Sequence, residues 1–147
     1  MAALLLTAAP FPTFAGQLLG LGQADLLSLD RAVRSGLSYQ AVERLAAEIE
    51  LPLPQISDLI QVPSRTLLRR KSEGRLHPDE SDRLMRLLRV FSRALELFEG
   101  DAESARRWLG RPLPALGGAS PLRFAMTDVG AQEVDALIGR LEHGVIV

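Results

Sequence analysis

Basic side chains cluster in one short segment of a chain that is otherwise slightly acidic. The 147 residues include 17 Lys and Arg against 18 Asp and Glu, for a formal net charge of −1. Arginine can donate paired hydrogen bonds to guanine in the major groove of DNA, and Ser or Thr at a helix start can contact phosphate. The segment therefore indicates DNA binding, and a solvated helix face is the alternative interpretation. Its five basic residues, which stand against the single acid Glu73, are Arg65, Arg69, Arg70, Lys71 and Arg75.

Two short helices joined by a tight break would present this cluster. Pro54 suits the first turn of a helix that runs to residue 60, and Pro63 opens a second helix that closes near Gly74. These are the proportions of a helix-turn-helix unit, over about residues 54–75. We expect its two helices to pack through Ile56, Leu59, Ile60, Leu67 and Leu68. We expect the exposed face of the second helix to contact DNA through Ser64, Arg65, Thr66, Arg69, Arg70 and Lys71.

The last residues of the sequence form a second unusual segment. A polar helical stretch with Arg140, Glu142 and His143 runs into Gly144, and three apolar residues follow at 145–147. Ends of chains are usually polar and frayed, so an apolar segment after a helix-stopping glycine needs a place to bury its side chains. That place is either the chain's own domain or a concave, mostly apolar cleft of a partner.

Candidate catalytic and metal-binding residues are scarce. The two histidines, His77 and His143, stand at a helix start and near the end of the sequence, where no nucleophile is spaced to use either as a base. A metal site would need His and carboxylates at ligand spacing, which the sequence does not offer. The absence of Cys excludes thiol nucleophiles and fits a reducing cytoplasm. We therefore expect no catalytic residue, no metal site, no cofactor and no enzymatic activity.

The composition argues against secretion and membrane insertion. The apolar start MAALLLTAAPFP contains no Lys or Arg, and Pro10 and Pro12 interrupt it, so it is a poor signal peptide. No apolar run approaches the ~20 residues that a membrane-spanning helix needs. We expect a soluble, cytoplasmic protein without a membrane partner.

Leu and Ala dominate the sequence, while Val, Ile and Thr nowhere alternate over a strand length, which predicts an all-α fold. Residues 1–22 look irregular, because Pro and Gly are scattered among their apolar pairs. A long helix is predicted from Pro78 to Glu99, with a core stripe of Leu84, Leu87, Leu88, Phe91, Leu95 and Phe98. The stripe of the last helix is Val129, Val134, Leu137, Ile138 and Leu141.

These elements predict an N-terminal helical region over residues 1–76, a connecting helix over 77–100 and a small helical domain over 101–147. The long Leu/Phe stripe and the apolar start leave apolar faces that need cover, which favours self-association. Operator-binding helix-turn-helix proteins are often two-fold dimers. We expect a homodimer or a higher assembly.

From about residue 50 onward, the sequence resembles the Xre/MbcA/ParS-type toxin-binding antitoxins. The segment PSRTLLRRKSEGRLHPDESDRL resembles the helix-turn-helix portion of this family. The chain departs from the residues usual in the family at Arg123-Phe124, Asp128 and His143. The similarity is most specific at Trp108-Leu109, residues 114–118, Pro121-Leu122, Gly130, Val134 and residues 140–144.

The resemblance implies the antitoxin of a two-gene module whose toxin has a RES domain, related to ADP-ribosyltransferases, that degrades or uses NAD. Such antitoxins bind the toxin through their C-terminal helices and commonly repress their own operon. On this basis the toxin-binding residues are expected to be Arg140, Glu142, His143, Gly144, Val145, Ile146 and Val147, with the apolar segment occluding the toxin's active site. The expected partners are the toxin and operator DNA.

Two other functions compete with this one. A stand-alone helix-turn-helix transcriptional regulator would bind DNA but would have no use for the apolar segment at 145–147. A small scaffold protein would bind neither DNA nor toxin, and its basic helix would be merely solvated. A reading frame for a RES-type toxin beside the gene would favour the antitoxin over both.

Overall fold

The computed structural model describes residues 9–144, and within them the chain forms nine α-helices, one short 3-10 helix and no strand. The prediction of an all-α fold is confirmed. In chain order the helices are α1 (Phe11–Leu19), α2 (Leu26–Ser35), α3 (Gln40–Ile49), α4 (Leu53–Leu59), α5 (Ser64–Glu73), α6 (Pro78–Leu97), α7 (Ala102–Leu109), α8 (Pro121–Phe124) and α9 (Asp128–Glu142), with the 3-10 helix at Pro114–Leu116 between α7 and α8.

The expectation of irregular structure over residues 1–22 is wrong for residues 11–19, which form α1, while residues 1–8 lie outside the described residues. Pro12 lies in the first turn of the helix, where a missing N–H costs nothing. Phe14 and Leu18, four residues apart, share the buried face, and the Phe14 ring lies 6.0 Å from that of Phe91 on α6. Gly20 ends the helix with φ +74, in the left-handed region that glycine tolerates.

Helix α6 is the central helix of the core, and it packs against α1, α2, α3, α7 and α9. Its predicted stripe is buried from Leu84 to Leu95, and only Phe98, just beyond the helix, is half-buried. The Oγ of Ser81 accepts a hydrogen bond from the N–H of Leu37 at 2.8 Å in a buried position, which fixes the segment after α2 to α6. The helix is therefore part of both halves of the fold, while the predicted boundaries at residues 76 and 100 stay a prediction.

Two apolar residues predicted to be buried lie on the surface instead: Leu68 and Val129 are 68% and 79% exposed. On α9 the buried face consists of Gly130, Val134, Leu137 and Ile138, a spacing that places Val129 to one side of it. Leu141 is also at the surface. Adjacent helical residues point about 100° apart, and on α5 only Leu67 of the pair Leu67 and Leu68 faces the core.

Among the described residues 9–144, no helix has the length and hydropathy that a membrane span requires. In the same residues no group of three or more His, Asp and Glu side chains is arranged to hold a metal ion.

Candidate functional site

The predicted helix-turn-helix is formed by α4, a sharp turn and α5. The turn passes through Gln61, whose φ of +55 is left-handed. Ser57 holds the turn closed from inside: its hydroxyl donates to the carbonyl of Val62, and its own carbonyl accepts from the Val62 N–H at 3.1 Å. Ile56 and Ile60 are fully buried beneath it. This local packing fixes the angle at which α5 leaves the body of the protein.

The outward face of α5 is basic. Arg65, Arg69 and Lys71 are exposed, as is Ser64, while Thr66 is half-buried. The helix begins after Pro63, and among residues 9–144 no side chain caps its first turn. Its first N–H groups are therefore free to meet an anion, and the helix dipole makes that end positive. The face combines the groups that contact phosphate with those that read guanine.

Arg70 does not belong to this face, and the expectation that it lies on the exposed side of α5 is wrong. Arg70 is only 6% exposed, because its side chain lies on the inward face of α5 with Leu67 and reaches Glu80 of α6. Its Nε donates to Oε1 of Glu80 at 2.7 Å and its second terminal nitrogen lies 3.2 Å from Oε2, which makes a two-pronged ion pair. The carboxylate of Glu73 and Nδ1 of His77 lie within 3.5 Å of the same guanidinium. A buried cation is tolerated here because an acid and several acceptors surround it.

The ion pair changes the titration of both partners. Burial alone would raise the pKa of the Glu80 carboxyl, but the hydrogen bonds from Arg70 and from the His77 N–H, together with the charge of Arg70, lower that pKa below its ordinary value. The hydrogen bond to Glu80 raises the pKa of Arg70, against the effect of burial. Both groups are therefore charged at neutral pH, and the pair ties α5 to the start of α6.

The turn before α5 is also bonded to the C-terminal half of the chain. The side-chain Nε2 of Gln61 donates to the carbonyl of Met126, between α8 and α9, at 3.1 Å. Arg86 of α6 donates to the same carbonyl at 3.2 Å. Arg83 of α6 donates to the Ile60 carbonyl at 2.7 Å. The turn of the candidate DNA-binding unit and helix α6 thus share one backbone acceptor in the α8–α9 junction.

The end of α9 contains the described part of the second candidate surface. Arg140 pairs with Glu133 at 2.9 Å, and Glu142 pairs with Arg93 of α6 at 2.7 Å. His143 and Gly144 are exposed, and Gly144 has φ +70, so the backbone leaves helical geometry there. Both charged residues that are expected to bind the toxin therefore already have an ion-pair partner within the chain. Val145, Ile146 and Val147 lie outside the described residues.

Arg93 orients the last turn of α9. Its guanidinium contacts three carboxylates, at 2.6 Å on Glu96 and 2.7 Å on Asp135 and Glu142. Its side chain is only 22% exposed, and burial would lower its pKa, but the hydrogen bonds that it donates to Glu142, Asp135 and Glu96 raise that pKa. No sequence pattern points to Arg93, because its partners on α9 are 42 and 49 residues away and no periodicity links them.

The residues that give the C-terminal half its most specific pattern are mostly structural. Leu109 is fully buried, and the Trp108 ring packs 6.3 Å from that of Phe98. Pro121 and Leu122 are buried in the short α8. Gly130 is buried where α9 passes close to the Phe124 carbonyl. These residues form the packed C-terminal half of the fold that positions α9.

Comparison with known proteins matches two regions of the chain. Residues 28–89 match the antitoxin Xre-like helix-turn-helix domain, and residues 93–144 match the antitoxin Xre/MbcA/ParS C-terminal toxin-binding domain.

Whole proteins are similar as well. The chain is 39% identical to antitoxin Xre of Yersinia enterocolitica over 115 residues, which is 78% of each chain. It is 34% identical to antitoxin Xre of Photorhabdus laumondii over 119 residues, or 80% of each. A more distant relative is the Prs ADP-ribosylating antitoxin of a Sphingobium species, 21% identical over 76% of each chain.

Proposed function

The chain belongs to the Xre family of antitoxins, the antitoxins of toxin–antitoxin systems, and on that premise we propose that it neutralises a RES-domain toxin and binds the operator of its own operon. The proposed toxin is related to ADP-ribosyltransferases and consumes NAD. The name of the distant Sphingobium relative, a Prs ADP-ribosylating antitoxin, supports this class of partner.

Neutralisation is proposed to be steric, with no chemistry performed by this chain. Residues 145–147 enter or cover the NAD cleft of the toxin, and Gly144 is the pivot at which they leave α9. Burial of Val, Ile and Val would contribute ~1.5–3 kcal/mol each, less the cost of ordering the segment. The observation that supports this most directly is the end of α9, where Arg93 fixes the helical turn and the left-handed Gly144 releases the chain from it.

Arg140 and Glu142 are expected from the sequence to bind the toxin, and we propose that they lie at the rim of its cleft. Because Glu142 is held by Arg93 and Arg140 by Glu133, these side chains present paired charges to the toxin. Charges at a rim mainly fix orientation and association rate. His143 is exposed and stands next to Gly144 in the sequence. Among the described side chains without such an ion pair, it is the nearest in sequence to the proposed plug.

The proposal predicts that a RES-domain toxin is encoded beside the gene, and it is tested on that protein. NAD hydrolysis by this toxin is measured at saturating full-length antitoxin, at saturating chain lacking residues 145–147, and with Ser at all three positions as a control of equal length. Both altered chains should still form the complex through the helical surface, yet the toxin should regain NAD turnover. Complete inhibition by both would show that the segment is not the plug.

DNA binding is proposed for Ser64, Arg65, Thr66, Arg69 and Lys71, with Arg70 now excluded. The supporting observation is the uncapped, basic and outward α5. We further propose that the chain acts in the cytoplasm as a homodimer or higher assembly, since two-fold operators are read by paired recognition helices.

Gel-shift titration of operator DNA at two salt concentrations tests the DNA proposal. The variant with Arg65→Ala and Arg69→Ala should lose ~1–3 kcal/mol of binding free energy for each base contact that is removed. A weaker salt dependence of the binding constant would indicate a lost phosphate contact. Arg107→Ala, an exposed arginine on α7, is the control and should leave the titration unchanged. Unchanged operator affinity of the double variant at both salt concentrations would refute the assignment.

A further inference from the structure

One apolar side chain stands in the middle of the basic face of α5. Leu68 is 68% exposed, and two basic residues, Arg65 three residues before it and Lys71 three residues after it, are exposed as well. Its neighbour Leu67 takes the core position and is 4% exposed. Residues three apart share a helix face, so Leu68 lies on the same face as these two cations.

The surroundings of Leu68 argue against a protein interface. Within Ser64–Glu73 it is the only large apolar side chain at the surface, and the other exposed positions are polar. The fully buried centre of a protein interface is apolar and depleted in charge, whereas Leu68 is enclosed by cations. On DNA, the small apolar group that a leucine can contact while neighbouring basic residues bind phosphates and base edges is a methyl group. In the major groove that group is the 5-methyl of thymine, which only A·T pairs present.

We propose that Leu68 is a specificity-determining residue that contacts the 5-methyl group of a thymine in the operator. The inference rests on the proposed DNA-binding function and adds a base preference to it. Arg65 and Lys71 position α5 on phosphates or guanine, and Leu68 then selects a thymine at the base step between them. The preference is lost when the methyl group or the leucine side chain is removed.

Replacement of thymine by uracil tests this, because it removes the methyl group and nothing else. A duplex is first selected with the full-length chain from a randomised library. Each thymine of that duplex is then replaced in turn by uracil, and binding is measured by fluorescence anisotropy. Replacement at one position in each half-site should weaken binding about fourfold, the effect of one methyl group withdrawn from an apolar contact. Leu68→Ala should bind the parent duplex at least that much more weakly and should not distinguish uracil from thymine there.

Leu26→Ala is the matched control. Leu26 lies on α2, outside the basic face, and its exposure of 66% is close to that of Leu68. It should retain the difference between thymine and uracil. The proposal is overturned if the native chain tolerates uracil at every position, or if Leu68→Ala keeps the full difference. It is also overturned if Leu68→Ala lowers the sedimenting mass while the base preference stays, which assigns the side chain to a protein contact. Selection of no duplex would refute the DNA-binding function itself.

Discussion

Replacement of Gly130 by alanine should damage the C-terminal half of the fold, because α9 passes too close to α8 for any side chain. A Cβ at position 130 would lie 1.7 Å from the carbonyl oxygen of Phe124 and 2.8 Å from its carbonyl carbon. Ordinary van der Waals contact begins at 3.4 Å, so the backbone at the end of α8 would have to retreat by more than 1.5 Å. The hydroxyl of Thr127, which accepts from the Gly130 N–H at 3.0 Å, would be displaced with it.

The magnitude follows from three opposing contributions. Overpacking of a close contact costs about 1–3 kcal/mol, and loss of the Thr127 cap costs about 1 kcal/mol. The better helix propensity of alanine returns about 1 kcal/mol. The free energy of unfolding should therefore fall by about 1–3 kcal/mol.

Gly139→Ala in the same helix is the control. No atom lies within 4 Å of a Cβ at that position. Only the propensity gain applies there, so unfolding should cost about 0.5–1 kcal/mol more than in the native chain.

Urea unfolding followed by far-ultraviolet circular dichroism measures both variants, with thermal midpoints as a check. At about 2–4 °C per kcal/mol for a domain of this size, the two alanine variants should be separated by several degrees. Toxin capture should weaken for Gly130→Ala and not for Gly139→Ala. Equal stabilities of the two variants would refute the close approach of α8 to α9.

Two further predictions concern ion pairs. Glu80→Gln should destabilise the fold by about 3 kcal/mol at neutral pH, since it leaves the buried cation of Arg70 without its counter-charge. The pKa of Glu80 is lower in the folded state than its unfolded value near 4.5. Its contribution to the free energy of unfolding is therefore present above pH 4.5 and is lost as the pH falls through the folded pKa. The urea midpoints of the native chain and of Glu80→Gln should accordingly converge below pH 4.5. A difference that stays constant from pH 7 to 3 would contradict this. Arg93→Ala should release Glu142 and speed amide hydrogen exchange in the last turn of α9 roughly fivefold, the effect of an ion-pair network worth about 1 kcal/mol. Arg107→Ala, whose pair with Glu103 is exposed, should leave that exchange rate unchanged, and an equal effect of both variants would show that Arg93 does not position the turn.

Local patterns in the sequence predict local structure well in this protein. The stripe of α6 is buried as expected from Leu84 to Leu95, because helix periodicity needs no knowledge of the partner helices. The break at residues 61–62 is also found, since Pro63 marks the start of the next helix. Helix α1 was missed because Pro12 was taken as a breaker, although proline is harmless in a first turn.

Contacts between distant residues were beyond the sequence. Arg70 was assigned to the DNA-binding face from its place in a basic run, and only its pairing with Glu80, across the loop before α6, shows that it faces inward. The partners of Glu142 and of the Met126 carbonyl are likewise set by how α6 packs on α9. The proposed plug at 145–147 stays a prediction, because those residues lie outside the described range.

The link between Gln61 and Met126 has a consequence for the divergence of this family. The acceptor is a backbone carbonyl, which any amino acid supplies, whereas both donors, Gln61 and Arg86, are side chains. Substitutions at position 126 can therefore remodel the surface near α8 and α9 to suit a new toxin without breaking the bond to the recognition turn. The DNA-binding half has no such freedom at Gln61 and Arg86. A chimera that grafts a foreign C-terminal half onto this helix-turn-helix should keep its operator if the grafted backbone follows the same path between α8 and α9.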